Sequence, residues 1–242
     1  MMIKRCLYIL GWLGIFIALQ SLGFWQLERA KQKQALLDSY QANQQAAAVP
    51  LAAILPVTLQ QRYQKITVQG SFDNQHNFLL DNKIYQHQAG YHVITPFHLT
   101  GSNEPLLLMN RGFLAGTGQR TKLPDIPVIE GEHTLTAIID FPPEKPFILG
   151  ANYDAQSLRW PLVMQQLKVD DVSHALNTAV YPFIALLYDP SFSFQTDWQP
   201  TKLMSVSMHK GYAVQWFALA ATWLILTSLL FLRHFRKKRG IS

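Results

Sequence analysis

The chain has 242 residues, a formal net charge of +6 and a single cysteine, with 21 Lys/Arg against 15 Asp/Glu. Seven of the basic residues flank two long apolar segments: Lys4 and Arg5 before the first, and Arg233, Arg236, Lys237, Lys238 and Arg239 after the second. The interval between is close to neutral, so the excess charge is a topology signal and argues against a nucleic-acid surface. A lone Cys6 cannot form an internal disulfide. With no Cys-x-x-Cys, thiol exchange and copper carriage through paired thiolates are disfavoured, and Cys6 reads as a packing residue.

The first apolar segment, Cys6 to about Leu22, is long enough to span a bilayer. It runs on through Phe24-Trp25-Gln26 with no small-x-small cleavage site, which favours an uncleaved anchor over a signal peptide. The few residues before it leave no room for an amphipathic presequence. Gly11, Gly14, Ala18 and Ser21 share one helical face, and Ala218, Ala221 and Ser228 share another on the second segment. Small residues on a face let a second helix approach closely. From Trp25 to about Ala48 helix formers dominate, so the first helix is expected to continue, with Trp25 an interfacial anchor.

From Arg62 the apolar period changes to two. Arg62–Gly70, His76–Asn82, Tyr91–Leu99, Leu106–Leu114 and His133–Phe141 are predicted strands, separated by Gly, Asn and Asp turns. Pro142, Pro143 and Pro146 break the chain. Arg159–Val163 reads as a short strand, Met164–Leu176 as a helix and Val180–Tyr188 as the last strand, and Pro190–Leu203 leads back to the membrane. The second apolar run extends from His209 to about Leu232. Its basic end, like that of the first, belongs in the cytoplasm.

The fold class expected is therefore a membrane protein: two transmembrane helices flanking an α+β, mainly antiparallel, extracytoplasmic domain. The boundaries are residues 1–23 for the first helix, 24–208 for the periplasmic domain, 209–232 for the second helix and 233–242 for a basic cytoplasmic tail. The location is the inner membrane of a bacterial cell, with both termini cytoplasmic.

Most enzyme signatures are missing from the sequence. There is no Gly-x-Ser-x-Gly elbow and no His-Glu-x-x-His. Gly116-Thr117-Gly118 reads as a turn. His76, His87, His92 and His98 fit no zinc spacing and read as scattered or hydrogen-bonded side chains. Asp170 and Asp171 point about 100° apart on a helix, a poor acid–base pair and a solvated face. Arg111, after an apolar strand, is either a structural cation or a clamp for a carboxylate. His209 shares a helical face with Ala213, Trp216 and Ala220. It reads either as an axial ligand for a haem half in lipid or as a headgroup-level histidine with Tyr212 and Trp216 as belt residues.

Three patches resemble the surfeit locus protein 1 family of cytochrome c oxidase assembly factors. They are Gly23-Phe24-Trp25-Gln26-Leu27-Glu28-Arg29-Ala30-Lys31, the strand series from Tyr63 through Gly70-Ser71-Phe72-Asp73 and Gly90-Tyr91-His92-Val93-Ile94-Thr95-Pro96-Phe97 to Asn110-Arg111-Gly112-Phe113, and His209 to Phe217. The family often reads Asn-His-Leu before Tyr-Ala, whereas here the run is Met208-His209-Lys210-Gly211-Tyr212. The resemblance implies a non-enzymatic assembly factor that receives or holds haem a and helps insert it into the large oxidase subunit. It implies His209 as the ligand to the haem iron, with Trp25, Gln26, Tyr212 and Trp216 lining the slot and Arg29 or Arg111 facing a propionate. Partners would be the oxidase large subunit, haem a synthesis or other assembly proteins, and membrane lipid. The alternative is a haem-free membrane scaffold.

Overall fold

The computed structural model describes residues 2–101, 105–119, 122–143, 148, 151–154, 158–198 and 205–238. Expectations that fell on Pro146, Leu203 and Arg239 lie outside these. Two compact units result, one of Met1–Ser39 with Gln199–Ser242 and one of Tyr40–Trp198.

The first unit holds two long helices. Helix α1 is Met2–Gln45, unbroken for 44 residues, and α3 is Val206–Lys238. The continuation of α1 past the apolar segment follows from the Gln-, Ala-, Lys- and Leu-rich stretch, which contains no helix breaker. Ser205 starts α3: its hydroxyl accepts the Met208 amide at 3.2 Å, the N-cap bond expected of a serine just before a helix. Gly211 does not interrupt α3.

The second unit is built on one mixed sheet. Its strands are β1 (Val49–Pro50), β2 (Lys65–Phe72), β3 (Phe78–Tyr85), β4 (Gln88–Leu99), β5 (Leu106–Ala115), β6 (Glu132–Asp140), β7 (Leu162–Met164) and β8 (Val180–Leu187), in the order β1-β2-β6-β8-β5-β4-β3-β7. An additional β2–β4 pairing closes β2, β6, β8, β5 and β4 into a barrel. Alternation sends Ile66, Val68 and Phe72 of β2 inward, with Leu107 and Met109 of β5, Leu135, Ala137 and Ile139 of β6, and Phe183, Ala185 and Leu187 of β8. The last turn of α1 belongs to this unit: Tyr40 packs edge-on against Tyr63 at 5.5 Å, and Asn43 Nδ2 donates to the Arg62 carbonyl at 3.3 Å.

The sheet is mainly antiparallel, through β2–β4, β2–β6, β3–β4, β4–β5 and β6–β8, but it is mixed, since β1–β2, β3–β7 and β5–β8 are parallel. One expectation is corrected. The predicted helix over Met164–Leu176 begins only at Val169, as α2 (Val169–Leu176). Met164 is taken by β7, and the next two amides are claimed by Asn152, whose carbonyl accepts Gln165 N at 3.0 Å and whose side chain accepts Gln166 N at 2.9 Å. Asp171 is likewise more than a solvated carboxylate, because its Oδ2 accepts Asn152 Nδ2 at 2.6 Å.

Gly70 sits where the barrel closes. It is paired with His133 of β6 on one side and Leu99 of β4 on the other, and a Cβ there would run into the His98 carbonyl.

Candidate functional site

In the two-helix unit, the more buried positions of α1 are Trp12, Phe16, Leu19, Gly23, Gln26 and Ala30, and those of α3 are His209, Ala213, Trp216, Ala220, Trp223 and Thr227. Each series steps by four and three residues, the spacing of a helix–helix seam. The helices run antiparallel: Gln26 meets His209 near one end, and the Phe217 ring covers Gly23 farther along, where an added Cβ would come within 2.5 Å of it. Phe24 also packs edge-on against Phe217 at 5.3 Å.

The seam is one residue out of phase with the small-residue face read from the sequence. A Cβ at Gly11 or Gly14 would meet nothing within 4 Å, and Ala18, Ser21, Ala218, Ala221 and Ser228 are exposed. One residue is about 100° of helix turn, so that face points elsewhere. Large half-buried side chains such as Trp12 and Phe16 take the seam in its place.

His209 and Gln26 are the buried polar pair of the seam, 7% and 8% exposed. His209 Nδ1 lies 2.7 Å from Gln26 Oε1. An amide oxygen only accepts, so in this contact Nδ1 is the donor and Nε2 points away from it. The other predicted site residues of this unit do not join this hydrogen bond. Trp216 lies two turns along the His209 face and is half-buried. Trp25 and Tyr212 are largely exposed, and the Arg29 guanidinium sits over the Trp25 ring at 5.8 Å while donating to Gln32 Oε1 at 3.2 Å. Phe217 lies in the third patch read from the sequence but was given no role there. Its signal was Gly23, a glycine that needed a large partner.

Arg111 belongs to the β domain. Gly112 pairs with Val93 and Asn110 with Ile94, so Arg111 is the extra residue of a bulge in β5, followed by Gly112 at φ +104°. The side chain is only 2% exposed. Its Nε donates to the Phe192 carbonyl at 3.2 Å, and both terminal nitrogens donate to the Pro127 carbonyl at 3.2 Å. The Phe194 and Phe72 rings lie 4.8 and 5.7 Å from its Cζ. Burial pulls its pKa down to about 10. Among the described residues no carboxylate pairs with it.

Among the other histidines, His76 Nδ1 bonds Asp73 Oδ2 at 2.6 Å and packs edge-on against Trp160, while His87 and His98 are exposed. Among the described residues no cluster of three His, Cys, Asp or Glu is arranged to hold a metal ion.

These features define a class: two helices long and apolar enough to cross a membrane, with a barrel-like β domain between them in the chain. The SURF1 family model matches residues 13–221, which include Gln26, Arg111 and His209. The chain belongs to the SURF1 family. It is similar to a SURF1-like protein of Rickettsia prowazekii (strain Madrid E), 27% identical over 215 residues that cover 86% of this chain and 83% of that one. It is also similar to Surfeit locus protein 1 of Rattus norvegicus, 24% identical over 254 residues covering 96% of this chain and 78% of the rat protein. Surfeit locus protein 1 of Gallus gallus is 26% identical over 238 residues, covering 90% and 72%.

Proposed function

We propose that this protein is an assembly factor for haem–copper cytochrome c oxidase. His209, at the outer end of the helix pair, would hold the iron of haem a for insertion into the large oxidase subunit. Family membership supports the assembly role through the resemblance set out above. The observation that carries the haem role is the His209–Gln26 bond. A ligating imidazole donates its second N–H to a fixed acceptor, which sets the tautomer and ring orientation. Gln26 supplies that acceptor and leaves Nε2 as the donor atom for iron. Bound haem a would bring an iron that accepts an imidazole and a macrocycle that prefers an apolar setting.

The remaining roles belong to this chain's own side chains. Trp216 extends the His209 face as an aromatic wall, and Trp25 and Tyr212 offer exposed rings near the same level. Arg29, held over Trp25, supplies a cation for a propionate. Arg111 is not assigned to this ligand, because its donors serve carbonyls of the β domain. No bond is made or broken, so the role is carriage and not catalysis. Both helices span the inner membrane, the termini lie in the cytoplasm, and the β domain stands in the periplasm. There it is placed to meet the oxidase large subunit and the proteins that make or deliver haem a.

A haem-free scaffold is the second reading. It is favoured by the same contact, since a buried His–Gln bond is sufficient as a tie between two helices in lipid.

The test is the visible spectrum of detergent-purified protein from cells that make haem a, comparing wild type with His209→Ala and Gln26→Leu. The haem reading expects a Soret band in wild type, its loss in His209→Ala and a shifted or weakened band in Gln26→Leu. Protein that carries no haem even when it is supplied leaves the scaffold as the function.

A further inference from the structure

Arg111 is a buried cation whose partners are all neutral. Carbonyl oxygens and aromatic faces satisfy N–H groups and soften the loss of water, yet they leave the charge uncancelled. The Nε and two terminal N–H groups are accounted for by Phe192 and Pro127, and each terminal nitrogen has one further N–H. Burial alone depresses its pKa, with no carboxylate field opposing that.

The guanidinium lies against a cavity of about 370 Å³ between the 127–133 and 191–194 segments. The lining is mixed: Pro127, Val128, Ile129, Phe192 and Phe194 give it apolar walls, and Ser191, Ser193 and His133 give it polar points. Glu130 also lines the cavity but forms no ion pair with Arg111.

Besides the arginine, which donates to the Pro127 and Phe192 carbonyls, the walls have ties of their own. Asn74 clamps Ile129 from both sides, its Nδ2 donating to the Ile129 carbonyl and its Oδ1 accepting the Ile129 amide, both at 2.9 Å. The other wall is a turn in which the Asp189 carbonyl accepts the amides of Phe192 at 3.2 Å and Ser193 at 3.0 Å. His133 is fixed at the rim by its Nε2 contact with the Glu130 carbonyl at 2.8 Å and by packing against Phe192 at 4.5 Å. A bulge that re-aims one side chain, a cavity with apolar walls and an unneutralised guanidinium together describe a receptor for an anion on an apolar stem.

We propose that the cavity at Arg111 binds a carboxylate group carried on an apolar body. This site lies wholly within the β domain and does not rest on the haem reading. The carboxylate belongs either to a free small acid or to the C-terminus of a polypeptide; the ligand chemistry is the same.

The test uses the full chain in detergent and 4-fluorobenzoate followed by fluorine NMR, with 4-fluorobenzamide as the neutral twin. A second arm uses an acetylated pentapeptide ending in phenylalanine, with a free or an amidated terminus. The variants are Arg111→Gln and Ser193→Trp; the latter fills the cavity and leaves the arginine in place. Saturable binding of an acid on the order of 1 mM or tighter is expected. It should weaken about tenfold or more in the amide twins and in both variants, the change expected for losing a charge-assisted hydrogen bond. Tighter binding of the peptide acid assigns the carboxylate to a chain terminus, and tighter binding of fluorobenzoate assigns it to a small acid. Failure of both acids to bind, equal binding of acid and amide, or unchanged binding in a folded Ser193→Trp protein overturns the proposal.

Discussion

His209 on α3 and Gln26 on α1, 183 positions apart in the chain, meet through one buried 2.7 Å hydrogen bond near one end of a helix seam. The bond is local to two side chains, but it orients the imidazole and ties the two helices together. Its strength is measurable by a double-mutant cycle of His209→Ala and Gln26→Ala, read as unfolding of the helix pair in detergent and SDS mixtures. A coupling of about 0.6–1.7 kcal/mol is expected for a polar pair between helices in lipid. Strictly additive single mutants would show that the contact contributes nothing.

Gly23 gives the seam its close approach. An added Cβ would come within 2.5 Å of the Phe217 ring, so Gly23→Val should loosen the helix pair. The neighbour is the far end of one side chain, so Phe217→Ala should recover part of that loss. Cross-linking between cysteines placed at the two helix ends would follow the effect. Equal cross-linking in Gly23→Val and wild type would place Phe217 elsewhere.

Gly70→Ala should be among the most damaging single changes in the β domain. The new methyl meets the backbone carbonyl of His98, which cannot move without opening the β2–β4 closure. A loss of roughly 2–4 kcal/mol is expected for such a core clash. Gly101→Ala is the control: its φ of +77° makes alanine mildly strained, but the space is open. A thermal melt that falls no further for Gly70→Ala than for Gly101→Ala would be inconsistent with this closure.

Lys83 on β3 gives a pH signature. Burial lowers its pKa below the usual 10.5, and Asp81 opposes that shift. In the window just below 10.5 the unfolded chain therefore holds more protons at this site than the folded one. Stability gains a positive slope with pH there, and below the folded pKa the buried charge is a net penalty. Lys83→Met should remove that slope and raise the melting temperature at neutral pH. Matching pH profiles for variant and wild type would show that Lys83 is solvated when folded.

Much of the β domain was legible as alternation. Leu106–Leu114 and β5, and His133–Phe141 and β6, agree to within one residue at each end, because one inward face imposes period two. The onset of α2 was not legible, since a distant Asn152 claims the amides of Gln165 and Gln166. The bulge at Arg111 was invisible for a related reason: an inserted residue exists only relative to the partner strand β4. In the helices, apolar length and charge placement were readable, but the phase of the seam was not. Small residues were the natural guess, and the packing chose Trp12, Phe16 and Gly23.

The sequence by itself determined two spanning-length apolar helices with basic flanks, a strand-rich domain between them, and His209 as the polar residue at a helix mouth. These are local properties, carried by side-chain period and transfer free energy along the chain. Only the tertiary structure decided that His209 faces Gln26, that Gly70 closes a barrel, and that Arg111 is buried with no countercharge among the described residues. Each of those depends on pairing between residues far apart in the chain, and contact at a distance is not written in any one segment's composition or period.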